Sequence, residues 1–161
     1  MNPFKRKGST LGKKLKGALT DVSVDVFGYE KIVKKNILHR TNYISKRLEI
    51  PSERIYIRIF QKDHTIKSFL YNQRKPIARI PTGELTYFFL EEHLAQLGGF
   101  QNKVAFSIKK YLKELATANH IEEESVRIII HVKDNEVYIN AFHNEAFIKL
   151  IPLKSLIKFF K

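Results

Sequence analysis

Three stretches of this sequence hold residue types that do chemistry elsewhere, and each lacks something that chemistry requires. Gly8-Ser9-Thr10-Leu11-Gly12-Lys13-Lys14 has the glycines and lysine of a phosphate-cradling loop. Such a loop needs four residues between its glycines and a Ser or Thr after the lysine to hold magnesium. Here three residues intervene, Lys14 stands in the hydroxyl position, and no strand pattern leads in. The six histidines, at 39, 64, 93, 120, 131 and 143, show no His-Glu-x-x-His spacing. His64, His120 and His143 fall in expected turns or connections. His131 and His143 could converge on one sheet face, but no carboxylate is placed to orient them as ligands. Glu122, Glu123 and Glu124 precede a strand, where connections are solvated, whereas two-metal phosphoryl chemistry draws its acids from several strands. Glu91-Glu92-His93 reads as the flank of a helix. The sequence thus points to no enzyme, no cofactor and no metal site.

Charge and aromatic residues point elsewhere. The net charge is +13, and it is unevenly placed. Residues 1–80 hold 19 Lys and Arg against 6 Asp and Glu, while residues 81–161 hold 10 of each. A basic half implies a polyanionic partner, either nucleic acid or an acidic protein surface. The candidate contacts fall in three groups. An arm carries Lys5, Arg6, Lys7, Lys13, Lys14 and Lys16 with no acid among its first twenty residues. A helix carries Lys34 and Lys35. Strand alternation then sends Tyr56 and Arg58, with Phe60, to the side opposite Ile55, Ile57 and Ile59, and sets Lys67, Phe69 and Tyr71 opposite Ile66 and Leu70. Cations neutralise phosphate and aromatic rings stack on unpaired bases, so this face has the composition of a single-strand platform. The competing expectation is a second core layer beneath the helices, with Arg58 and Lys67 reaching outward. The corresponding face of the second half, Arg127, Ile129, His131, Tyr138, Asn140 and Phe142, has less charge and suits burial.

The elements that position these residues repeat. Gly28 to Leu90 lies over Gly99 to Lys161 at an offset of 71 without a gap, with fifteen identities, most of them apolar. The duplicated feature is therefore a packing pattern. We expect an α+β fold of two tandem α-β-β-β-α repeats packed as a pseudo-twofold pair. The boundaries are a basic N-terminal arm over 1–20, a first repeat with a leading strand over 21–98, and a second repeat over 99–161. Val22, Val24 and Val26 alternate as a short strand that Gly28 ends. Val33, Ile37, Ile44 and Leu48 recur at helical spacing up to Pro51. Strands follow at Arg54–Phe60, Thr65–Tyr71 and Pro76–Ile80, and Pro81 opens a helix with Leu85, Phe88, Phe89, Leu94 and Leu97 inward. In the second copy Val104, Ile108, Tyr111, Leu112 and Leu115 mark a helix. Strands are expected at Val126–Val132, Val137–Phe142 and Phe147–Ile151, and Pro152 opens a closing helix. The Lys-Asp pairs Lys62-Asp63 and Lys133-Asp134 sit in hairpin turns, where Asp suits left-handed geometry.

The absence of cysteine excludes disulfides and thiolate metal sites. No apolar run approaches the roughly 20 residues of a membrane span, and Lys5-Arg6-Lys7 lacks the apolar stretch of a secretory signal. The expected location is the cytoplasm or a virion, without membrane contact. The order α-β-β-β-α is similar to that of the double-stranded RNA-binding domain. That family's basic motif at the start of the second helix is missing, since the positions read Pro81-Thr82-Gly83-Glu84-Leu85 and Pro152-Leu153-Lys154-Ser155-Leu156. A tandem saddle also resembles the TATA-binding protein in plan, without a matching motif, and the sequence is assigned to neither. The expectation is a non-enzymatic module that binds nucleic acid, or sits in a nucleoprotein assembly, through its arm and first repeat. The alternative is a structural subunit of a large particle, such as a phage virion or secretion machine, whose arm anchors it to neighbours. Either reading expects an oligomer or membership of a larger assembly.

Overall fold

The structure is a computed structural model that describes residues 22–89 and 100–160. The arm at 1–20, with Lys5, Arg6, Lys7, Lys13, Lys14 and Lys16, lies outside these residues, as do Leu94 and Leu97. Helix α1 spans Val22–Leu48. Residues 22–27 of the expected leading strand are therefore helix. A lone strand needs a neighbour to satisfy its backbone, whereas extending an existing helix gains one hydrogen bond per residue fixed. Gly28 lies inside the helix. Its core face is Val33, Ile37 and Thr41, all buried. Leu48, expected inward, is 41% exposed. Glu49, at φ 57°, ends the helix, and the Ile50 N–H donates to the Ser45 carbonyl at 3.1 Å. That bond and the left-handed residue form a Schellman cap.

Strands β1 (Ile55–Lys62), β2 (Thr65–Asn72) and β3 (Lys75–Arg79) follow, then α2 (Thr82–Phe89) and α3 (Phe100–Asn119). Next come β4 (Val126–Lys133), β5 (Glu136–His143) and β6 (Ala146–Leu150). Leu153–Phe160 is a 3-10 helix and not the expected α-helix. Its Leu153 and Leu156 are three residues apart, the spacing that a 3-10 turn aligns on one side. The α3 terminus repeats the earlier cap, with His120 at φ 55° and the Ile121 N–H donating to the Ala116 carbonyl at 3.0 Å.

All six strands join one antiparallel sheet in the order β3-β2-β1-β4-β5-β6. The junction is β1 with β4, where Tyr56 pairs with His131 and Arg58 with Ile129. Both main hairpins turn on two left-handed residues, Asp63-His64 and Asp134-Asn135. Two positive-φ residues in a two-residue loop match the right-handed twist of the strands, which is the role expected of the Asp residues. The fold is α+β, with the described helices on one sheet face. There Ile55, Ile57 and Ile59 of β1 and Val126, Ile128, Ile130 and Val132 of β4 share a single core with Val33, Ile37, Leu85, Phe89, Val104, Ile108 and Leu112. Each long helix also reaches across the junction. Lys34 of α1 pairs with Glu136 at the start of β5 at 2.9 Å, and Lys109 of α3 donates to the His64 carbonyl at 2.9 Å.

The sheet ends differently on its two sides. Every residue of β3 is exposed, and Pro76 removes a donor between Lys75 and Arg79. In β6, Phe147 and Leu150 are 61% and 55% exposed, with Lys149 the single charge.

Candidate polyanion-binding face

Alternation along β1, β2, β4 and β5 leaves a second face away from the helices and isoleucines. The register builds it in rows across the strands. Tyr71, Tyr56, His131 and Tyr138 form one row, and Phe69, Arg58, Ile129 and Asn140 the next. Lys67 pairs with Phe60, and Arg127 with Phe142. Tyr138 is exposed, and the other members of these rows are intermediate. Among the described residues, the face is therefore not a second core layer.

Its rings are packed on one another. The ring of His131 stacks on Tyr56 at 5.0 Å and on Tyr138 at 5.3 Å, and Phe60 stacks on Phe69 at 5.8 Å. Guanidinium groups occupy further ring faces, Arg58 over Tyr71 at 4.4 Å and Arg127 over Phe60 at 4.6 Å. Such contacts hold each cation in place through the ring quadrupole. Arg127 also donates to the backbone carbonyls of Glu124 and Val126. Burial, and then the positive charge of Arg58, lower the pKa of Arg127. Two guanidiniums thus sit close enough at the middle of the sheet to repel each other. Burial, followed by Lys133, lowers the His131 pKa below 6.5, which favours a neutral ring.

Beside this pair a shallow cavity of about 820 Å³ opens where β1 begins and β2 turns into β3. Arg54, Arg58, Arg74 and Lys75 line it with Tyr56, and among the described residues no Asp or Glu does. Arg54 arrives there because Ile55 pairs with Asn72, which sets the start of β1 beside the second turn. Arg54 donates to the Gln73 side chain at 3.5 Å.

The structure brings together Tyr56, Arg58, Lys67, Phe69 and Tyr71, as their alternation implies. Lys34 and Lys35 lie instead on α1, in the helical layer, where Lys34 is held by Glu136. Arg54, Arg74, Lys75 and Arg127 were not among the sequence candidates. Their signal was present in the turn at 72–75 and in the cation 71 positions after Tyr56, but only the hairpin register unites them. His131 and His143 do not converge. His131 pairs with Tyr138 on the open face, while His143 pairs with buried Val126 on the other. Among the described residues no group of three or more His, Asp and Glu is placed to hold a metal, and no helix is long and apolar enough to cross a membrane. The chain matches no protein-family model, no curated protein and no solved structure.

Proposed function

We propose that this protein is a non-enzymatic module that binds nucleic acid, or sits in a nucleoprotein assembly, through the open sheet face and the basic arm. The observation that carries the reading is the acid-free cavity lined by Arg54, Arg58, Arg74 and Lys75 beside Arg127. Because the ring faces are largely taken by neighbours, phosphate contact leads and base stacking is secondary. Phosphate contacts position a strand without reading its sequence.

The reading also takes the chain as a duplicated unit with a local twofold between Arg58 and Ile129. These two residues are 71 positions apart and directly paired. Support comes from left-handed residues that recur at the same offset, Glu49 with His120 and Gln73 with Asn144. The ladder irregularities recur likewise, at Leu70/Tyr71 and Ala141/Phe142.

The test is fluorescence anisotropy with labelled single-stranded DNA, single-stranded RNA and duplex, over a salt series. Affinity is expected to fall linearly on a log-log plot, with a slope of about −0.7 per phosphate for single strands. The double variant Arg58→Ala, Arg127→Ala should shallow that slope by about one to two units. Affinity that holds from about 50 to 200 mM salt would sink the reading.

The second reading is a structural subunit of a large particle, favoured by exposed Phe147 and Leu150 on edge strand β6. Light scattering separates the two. A defined multimer without nucleic acid supports the subunit, and mass gained only with nucleic acid supports the binding module.

A further inference from the structure

On the helical side of the sheet, away from the Arg58–Arg127 pair, a second concavity lies between α1, α2 and the β2–β3 hairpin. Its volume is about 510 Å³, within the roughly 300–1,000 Å³ of small-molecule clefts. The C-terminal half of α1 supplies Arg40, Tyr43 and Arg47 at spacings of three and four, which place them on one helical stripe. Arg79 enters from β3 and Tyr87 from α2, and the floor is apolar, built on Leu70, Ile80 and Phe88.

Two of the cations are already held in position. The Arg40 guanidinium lies 4.6 Å from the centre of the Tyr87 ring, and Arg47 Nη1 donates to Tyr43 Oη at 3.0 Å. Glu84 also lines the cleft, yet among the described residues neither Arg40, Arg47 nor Arg79 makes an ion pair. The residues 71 positions on are Tyr111, Ala118 and Leu150, and α3 and β6 form with none of the three cations. Three guanidiniums around an apolar floor, with Tyr43 49% exposed at the rim, combine planar anion recognition with a surface for a flat group.

We propose that this cleft binds a phosphate monoester joined to a flat apolar group, the chemistry of a mononucleotide or of the 5′-phosphorylated end of a strand. The guanidiniums take the phosphate oxygens, and Tyr43 with the floor takes the base. This site is independent of the open face.

The test is calorimetric titration of the full chain with adenosine 5′-monophosphate, adenosine and inorganic phosphate, and with matched 5′-phosphorylated and 5′-hydroxyl oligonucleotides. Saturable one-to-one binding of the monophosphate is expected, with adenosine and phosphate each at least tenfold weaker. Arg40→Ala and exposed Arg47→Glu should each weaken it about tenfold or more. Arg58→Ala, on the other face, should leave it unchanged, so failure here and failure of the open face are read separately. Preference for the phosphorylated oligonucleotide, lost in Arg47→Glu, supports a strand end. Monophosphate binding with the two oligonucleotides alike supports a free nucleotide. No saturable binding of the monophosphate together with no preference for the phosphorylated oligonucleotide, or monophosphate binding that survives Arg47→Glu in a folded protein, overturns the proposal.

Discussion

The backbone N–H of Asp63, in the β1–β2 turn, donates to Oε1 of Glu124 at 2.8 Å, although the two residues are 61 positions apart. The reciprocal bond also forms, from the Asp134 N–H in the β4–β5 turn to Oε1 of Glu53 at 3.4 Å. Each hairpin turn is therefore capped by a carboxylate that precedes the first strand of the other half. The run at 122–124, which reads in sequence as a solvated connection, contributes to the β1–β4 junction.

Glu124→Ala is expected to cost about 0.5–1 kcal/mol by removing the carboxylate acceptor of the Asp63 backbone N–H at an exposed site. Glu53→Ala should cost less, because its bond is longer. Urea denaturation of both, with exposed Glu122→Ala as control, checks this. Equal midpoints for Glu124→Ala and Glu122→Ala would contradict it.

Gly28 stands inside α1, and a methyl group added there meets nothing within 4 Å. Gly28→Ala should stabilise the protein by about 0.5–1 kcal/mol, since alanine loses less backbone entropy in a helix. A raised melting temperature is the readout. A fall would mean that this segment is not helical in solution.

Gln61 is 3% exposed on the core face of β1, and among the described residues its Oε1 has no partner. The position 71 residues on is Val132, also buried. Gln61→Val exchanges an unsatisfied polar group for the side chain that the other half already uses. It should raise stability by about 1 kcal/mol, measured as the denaturation midpoint at unchanged m-value.

The depressed pKa of His131 gives a pH dependence whose sign follows from linkage. The unfolded chain binds the proton more readily than the folded one, so protonation favours unfolding. Stability is full above the unfolded value of 6.5 and declines as pH falls from there through the lowered folded value. Replacing His131 with Phe keeps a ring between Tyr56 and Tyr138 and should flatten that part of the profile. An unchanged slope would place the titration elsewhere.

The strands were legible in sequence because their isoleucines alternate, and the turns because Asp63 and Asp134 suit left-handed backbone. The start of α1 was not. Val22, Val24 and Val26 alternate as a strand would, and the pattern carries no information about whether a neighbouring strand exists to pair with them. The face of Tyr56, Arg58, Lys67, Phe69 and Tyr71 followed from alternation alone. Its exposure did not, because alternation separates two faces without saying which one receives the helices. The Arg54, Arg74 and Lys75 cluster was invisible for another reason. Those residues become neighbours only when Ile55 pairs with Asn72.

The unlike edges of the sheet bear on assembly. Pro76, Lys75 and Arg79 resist addition of a strand beside β3, while β6 carries one charge and two exposed apolar residues. Among the described residues, β6 is thus the less guarded of the two edges. If two copies meet edge to edge through β6, the outer margins of the joined sheet are both of the guarded kind, and growth stops. On that route the same asymmetry would permit pairing and stop growth at the pair.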